Sequence, residues 1–391
     1  MSEWKTLSSI TSKIGSGSTP RGGNSVYSDS GISFIRSQNV LDMDFSTENL
    51  AFINDNQAEK LNNVIVEKND ILLNITGDSI ARCTVVPEEI LPARVNQHVS
   101  IIRCKNTEES KYVMYYLQYM KKYLLQISKV GGTRNALTKE AIGKLPIKIS
   151  DDCNKISKIL DIIDQKIQTN NQINQELEAM AKTLYDYWFV QFDFPDQNGK
   201  PYKSSGGQMV YHPELKREIP EGWGVARLDQ LQIATGKRDA NFGTENGKYD
   251  FWTTANSPIK ADEFSFEGKA ILIAGNGNFY VNFTDGKFEA YQRTYVIQSE
   301  DENMLIFMYM ACLQSVEKLR KGSNGSIIKY ITIGDVNNIA SPYNKKVVDE
   351  FVRIYSPLID LISKNKRQNQ ELTKLRDWLL PMLMNGQVKV E

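Results

Sequence analysis

Arginine, asparagine, glutamine and threonine recur in short polar loops along this chain, and these side chains suit hydrogen-bonded recognition. Arg, Asn and Gln can each make two hydrogen bonds to the edge of a nucleobase, while Ser, Thr, Lys and main-chain amides grip phosphate. In the N-terminal half the candidates are Thr19 and Arg21 in GSTPR (17–21), Arg36, Gln38 and Asn39 in RSQNV (36–40), Arg82 in TGDSIAR (76–82), Gln97 and His98 in RVNQH (94–98), and Arg134 in GGTRN (131–135). In the C-terminal half they are Thr253 and Asn256 in TTANS (253–257), Asn276 and Asn278 in AGNGNFY (274–280), Tyr291, Gln292 and Arg293 in AYQRT (290–294), and Lys329 in NGSIIKY (324–330). Any one of them is equally an ordinary surface turn, with Gln97 and Gln292 serving neighbouring backbone groups. Arg293 leads the second set, and Gln97 and His98 are its counterparts in the first.

Motifs for catalysis are missing. There is no [DN]-P-P-[YF] stretch of the kind amino-methyltransferases carry, and no GxGxxG between a strand and a helix. The glycine-rich loops GSGSTPRGG (15–23) and AGNGN (274–278) lack the GK[ST] of a phosphate-binding loop. Two histidines, His98 and His212, are too few and too far apart for a His-based metal cluster, so no metal site is expected. The four cysteines, Cys83, Cys104, Cys153 and Cys312, are scattered without a CxxC pair, as in reduced cytoplasmic proteins.

What must position the loops is legible in a repeat. NQEL occurs at 174–177 and again at 369–372, and sliding the chain by 195 extends the match. Asn170 falls on Asn365, Leu177 on Leu372, Leu184 on Leu379, and Gln97 on Gln292. Two copies of one mixed α/β module follow, each a globule and then a long helix. Apolar runs such as NDILLNITG (69–77) and GKAILIAGNG (268–277) end in turn formers, as strands feeding loops do. KYVMYYLQYMKKYLL (111–125) and NMLIFMYMACLQSVEKLR (303–320) read as helices. The boundaries are 1–150 and 223–346 for the globules, 151–191 and 347–391 for the helices, and 192–222 for a Gly/Pro/Ser-rich linker.

Heptads counted from Ile156 put Ile156, Ile159, Ile163, Lys166, Asn170, Ile173, Leu177, Met180, Leu184 and Tyr187 on one seam. The same frame gives Phe351, Ile354, Leu358, Leu361, Asn365, Gln368, Leu372, Leu375, Leu379 and Met382 in the second copy. Both predict a coiled-coil seam, with Asn170 and Asn365 as candidate register devices that would meet in an antiparallel pair, or else as solvated interruptions. Pro357 belongs near the start of the second helix, and Pro381 should kink or end it. A helix from Ile156 to Tyr187 rises roughly 45–50 Å at about 1.5 Å per residue. Such a pair could act as a ruler between two readers, a B-DNA turn being about 34–36 Å.

Composition bounds this reading. Lys plus Arg equals Asp plus Glu at 47 each, so the chain is neutral, which taken alone argues against nucleic acid. The charge is nevertheless polarised: 91–150 holds eleven basic and three acidic residues, against three and ten in 41–90. Residues 311–346 are also basic, six to two. No apolar run is long enough for a membrane span, and the start, MSEWKTLSSI, has no signal-peptide core.

The chain resembles the specificity subunit of type I restriction–modification systems over its whole length. GSTP (17–20), NQHVSII, LPIKI (145–149), ILDIIDQKIQTNNQINQELEAMAKTLYDYWF (159–189), REIPEGW (217–223), GKFEAYQRTYVI (286–297) and NQELTKLRDWLLPMLMNGQV (369–388) carry the likeness. The resemblance implies two target-recognition domains, each reading one half of a bipartite, asymmetric sequence in double-stranded DNA. It also implies two helices in an antiparallel coiled coil that set the gap, and a C-terminal end packed beside the N-terminal domain. Two modification subunits holding S-adenosylmethionine and restriction/translocase subunits using ATP and Mg would be the partners, leaving this chain no cofactor or catalysis of its own and a cytoplasmic location. A protein-binding scaffold with a coiled-coil spacer, and a DNA-modifying enzyme with diverged motifs, are the competing readings.

Overall fold

The computed structural model describes residues 3–20, 22, 26–129, 135–245, 247–325, 328–388 and 390. They divide into two units, residues 1–170 with 368–391, and residues 171–367. Both are mixed α/β, and each contains one globule and a stretch of both long helices.

In the first unit a four-stranded antiparallel sheet runs in the order Thr11–Ser16, Val99–Cys104, Ile71–Asn74, Cys83–Val85. The second sheet has the order Ala51–Ile53, Ile32–Ile35, Ala93–Val95, Ile65–Val66, with the two inner strands parallel. Glu3–Thr6 pairs with Pro146–Ile149. The second unit repeats this plan. Gln232–Thr235, Thr294–Gln298, Ala270–Ala274 and Val281–Thr284 form one sheet. Ile259–Ala261, Tyr249–Trp252, Lys287–Ala290 and Phe266–Glu267 form the other, again with a parallel inner pair. Gly224–Arg227 pairs with Ala340–Tyr343.

The inner strand Ile71–Asn74 is apolar on both faces because it is covered twice. Ile71, Leu72 and Leu73 are all fully buried, with Leu72 facing one core cluster and its neighbours another. The run 111–125 is split at Met120 into helices Ser110–Tyr119 and Lys121–Ile127, whereas its counterpart is one helix, Glu302–Gly322.

The long helices are Cys153–Tyr185, continued by a π-helical turn at Asp186–Val190, and Lys345–Asn385. Within each unit they run antiparallel, since Asp164 meets Arg376 and Asn170 meets Asn369 in the first unit, and Asn174 meets Asn365 in the second. The C-terminal end belongs to the first unit, where Leu380, Leu383 and Met384 join the core.

Four sequence expectations are corrected here. The seam keeps Ile156, Ile163, Asn170, Leu177 and Leu184, but its alternate positions lie one residue later, at Leu160, Ile167, Asn174, Ala181 and Trp188. Met180 is 60% exposed and Tyr187 37%, while Asn174 is buried. The C-terminal helix shifts identically, burying Tyr355, Ile362 and Leu383 and exposing Ile354, Leu361 and Leu375. Apolar identity misled the frame: several large apolar side chains stand outside the seam, and amides stand in it.

Asn170 and Asn365, secondly, do not meet each other. Asn170 Nδ2 donates to Gln368 Oε1 and Asn369 Oδ1, both at 2.8 Å, and Asn365 Nδ2 donates to Asn174 Oδ1 at 2.9 Å. The Asn170–Asn369 and Asn365–Asn174 contacts are the same contact under the 195-residue shift. Amide pairing inside an apolar seam penalises any slip of register, because a slipped amide is buried without a partner. Thirdly, Pro357 and Pro381 both lie inside the C-terminal helix, which neither of them ends. Pro357 is on the exposed face, as is Arg353 one turn earlier, so water can take the carbonyl that the proline leaves without a donor. Finally, 192–222 is no loose linker: Phe192, Phe194 and Ile219 are core residues, and Met209–His212 pairs with Arg217–Pro220.

Candidate nucleic-acid interface

Main-chain hydrogen bonds gather the polar loops at one end of the sheets, and they do so identically in the two units. Gly17 N donates to Val99 O (2.9 Å) and Ser18 N to Val95 O (3.1 Å); Gly236 N donates to Thr294 O (2.9 Å) and Lys237 N to Ala290 O (3.1 Å). Ile75 N donates to His98 O and Leu137 N to Ile75 O; Gly275 N donates to Arg293 O and Ile331 N to Gly275 O. Bridges Thr76–Ala136 and Asn276–Tyr330 complete the match. A Cβ on Gly17 would lie 2.0 Å from Val95 O, and one on Gly236 2.2 Å from Ala290 O and Tyr291 O, so only glycine lets these loops cross. Gly17 and Gly236 are offset by 219 rather than 195, because the first copy is longer between this glycine and its sheet partner, Val99 in one unit and Thr294 in the other.

The side chains displayed there differ. His98 Nδ1 lies 2.6 Å from Thr76 Oγ1, and its Nε2 lies 3.4 Å from Gln97 Nε2. At the equivalent place Gln292 and Arg293 are exposed, and the Arg293 guanidinium has no hydrogen-bonding or ionic partner among the described residues. Asn278, whose Nδ2 donates to Tyr280 OH (3.1 Å), and exposed Lys329, whose carbonyl accepts from Gly277 N (2.9 Å), stand beside them. Asn276 and Tyr291 are half-buried in the same cluster, as is Arg82 in the first unit, while Thr19 is exposed. Arg21 and Arg134 lie outside the described residues.

Other candidates are held by the fold. Asn39 is fully buried, taking Arg36 N on Oδ1 and donating to Ser46 O (2.9 Å). Arg36 Nη2 donates to Asn49 O (2.6 Å), and the guanidinium stacks 5.5 Å from the Tyr27 ring centre. Gln38 Nε2 reaches the same Asn49 carbonyl at 3.4 Å. These three order the turn that follows Ile32–Ile35. Thr253, their counterpart, accepts from Ala255 N and through its carbonyl from Thr294 Oγ1, while Asn256 lines a cavity against the helices.

Arg238 was missed by the sequence reading. It follows Lys237 in the crossing loop, stacks 4.2 Å from the Phe242 ring centre, and donates to Glu263 (2.6 Å) and to the fully buried Glu289 (3.4 Å). GSGSTPRGG (15–23) and IATGKRDANFG (233–243) are counterparts by sequence, but their poor similarity gives Arg238 no signal of its own.

The match of a family model for the type I restriction modification DNA specificity domain covers residues 1–179 and 220–374. The chain belongs to this family. Its two modules are two copies of the specificity domain. The chain is 28% identical over 337 residues to the type I restriction enzyme MjaIX specificity subunit of Methanocaldococcus jannaschii, covering 77% of this chain and 74% of that protein. It is 33% identical over 183 residues to the EcoDI specificity subunit of Escherichia coli, covering 44% of this chain and only 40% of that protein. The fold is also that of the type I restriction–modification S subunit from M. genitalium, with a TM-score of 0.58, 13% identity, and coverage of 100% and 97% of the two chains.

Among the described residues no group of acidic, His or Cys side chains could hold a metal, and no helix is long and apolar enough to cross a membrane. All four cysteines are buried and free; burial raises the Cys83 thiol to about 12.

Proposed function

We propose that this chain reads a bipartite DNA sequence for a type I restriction–modification complex, each unit contacting one half-site through its loop cluster. One observation carries the reading: the same main-chain scaffold presents different side chains in the two units, which suits two unlike half-sites. Gln97 and His98 face one half-site, and Gln292, Arg293, Asn278 and Lys329 the other, bidentate groups contacting bases and Lys329 a phosphate. Both long helices run unbroken through the division between units, and in this reading their length sets the unread gap.

Catalysis belongs to partners. Two modification subunits holding S-adenosylmethionine dock on the helices, where Ile162, Met180, Ile354, Leu361, Leu375 and Trp378 are 41–60% exposed. Restriction/translocase subunits with ATP and Mg supply cleavage in a cytoplasmic assembly.

Methylation-sensitive sequencing of DNA from cells co-expressing this chain with its modification subunit tests the proposal. A new split motif with unlike halves and a fixed gap is the expected result. A co-purifying, catalytically competent complex that methylates no motif would sink it in favour of a protein scaffold.

A further inference from the structure

A cavity of about 480 Å³ opens within the second unit, between the long helices and the recognition domain. Val281, Phe283, Met310, Leu313, Ile359 and Ile362 form its apolar wall. Its size lies within the range of small-molecule sites. Two features separate it from a packing fault. Tyr355 is only 2% exposed and lines the cavity, yet its hydroxyl has no hydrogen-bonding partner among the described residues. Tyr309, on the facing helix, likewise lines it without a partner. Both hydroxyls open onto this space without a partner among the described residues, so each is free to donate to a polar group placed there.

Charged groups surround the tyrosines. Glu178 lines the cavity and forms a loose ion pair with Lys366 (3.7 Å), and Lys182 pairs with Asp186 at 2.9 Å. Burial, with Glu178 adding to it, raises both phenols, so they stay protonated and able to donate. Apolar walls take a flat ring; the hydroxyls want an acceptor, and Glu178 beside them wants a donor. A ligand carboxylate would meet the Glu178 charge and is disfavoured. The first unit shows how the place closes when it is not used: Asp164, Arg376 and Tyr115 stand where the second unit has Ile359, Ala181 and Met310, and Met43 packs into the adjoining core.

We propose that this cavity binds a small planar aromatic molecule bearing a hydrogen-bond acceptor beside a donor, the carboxamide or nucleobase pattern, and so ties the helices to the second recognition domain.

The test uses the purified full-length chain without DNA, so it does not depend on the reading of half-sites. Saturation-transfer NMR titrations with benzamide and with benzoate compare the wild type with Y309F and Y355F, each checked for an unchanged circular-dichroism melt. Benzamide should bind, and benzoate about tenfold more weakly. Either tyrosine variant should weaken benzamide about fivefold or more, and Y309F serves alone if Y355F does not fold. Absence of benzamide binding, equal binding of benzoate, or unchanged affinity in the folded variants would each overturn the proposal.

Discussion

The two units treat the same junction between helix and globule by opposite chemistry. In the first, Asp164 accepts from Arg376 Nη1 at 2.7 Å and from Tyr115 OH at 2.6 Å, all three largely buried. In the second, the equivalent residues are Ile359, Ala181 and Met310, the place stays open as the cavity, and the core around it is packed by rings: Phe189 lies 4.8 Å from Phe307 and 5.2 Å from Phe351, centre to centre. Tyr185 adds a hydrogen bond to Ser341 at 2.7 Å. One backbone plan thus accepts a buried ion pair, or an apolar opening beside an aromatic cluster. The charged solution specifies a geometry, and the aromatic one contributes area without demanding exact partners.

The strongest way to break this comparison is to unpair the charge. R376A leaves Asp164 buried without its cation and should cost the first unit about 3–5 kcal/mol, read by chemical denaturation. D164I together with R376A copies the second unit and should recover most of that loss. If R376A costs under about 1 kcal/mol, Asp164 is solvated and the junction is not closed by charge.

Next come the crossing glycines. G17A and G236A each force a methyl against carbonyl oxygens and should cost about 1–3 kcal/mol. Each should impair one half-site only; equal damage to both halves would show that the loop clusters are not independent readers.

The displayed side chains should be unequal as well. R293A is expected to weaken its own half-site by about 1–3 kcal/mol in competition binding of the assembled complex. H98A, whose imidazole is already engaged by Thr76, should cost about 0.5–1.5 kcal/mol at the other. A loss from R293A that is uniform over all sequences would assign that guanidinium to phosphate.

The smallest effect is in pH. Burial raises the Asp164 carboxyl above its ordinary 3.8 even though Tyr115 and Arg376 pull it down. A carboxyl raised on folding binds more protons in the native state, so its contribution to stability is present below that value and is lost as pH rises through the folded pKa. The stability difference between wild type and D164N should therefore fall as pH rises from 3.8 and then level off. A difference that grows over that interval would mean pairing outweighs burial.

Much of this was legible in the sequence, and the exceptions have physical causes. The repeat gave both globules, both helices and the correspondence of Gln97 and His98 with Gln292 and Arg293. Every second seam position was misplaced because Ile354, Leu361 and Met180 look like core and are exposed, while Asn174 looks like surface and is buried. Asn39 and Arg36 read as contact residues because side-chain chemistry alone cannot tell a group offered to a ligand from one used by its own turn. Arg238 stayed hidden because GSGSTPRGG (15–23) and its counterpart IATGKRDANFG (233–243) share so little that no single residue of the pair stands out.

One feature of the loop clusters bears on how such a chain changes through time. The loops are fastened to one another by amide and carbonyl groups, which every residue but proline carries alike. Exposed positions such as Gln97, Gln292 and Arg293 can therefore be exchanged while the fastening remains. Stability and specificity are inherited almost separately, so a lineage can drift to a new target sequence by a few surface substitutions and never pass through an unfolded ancestor.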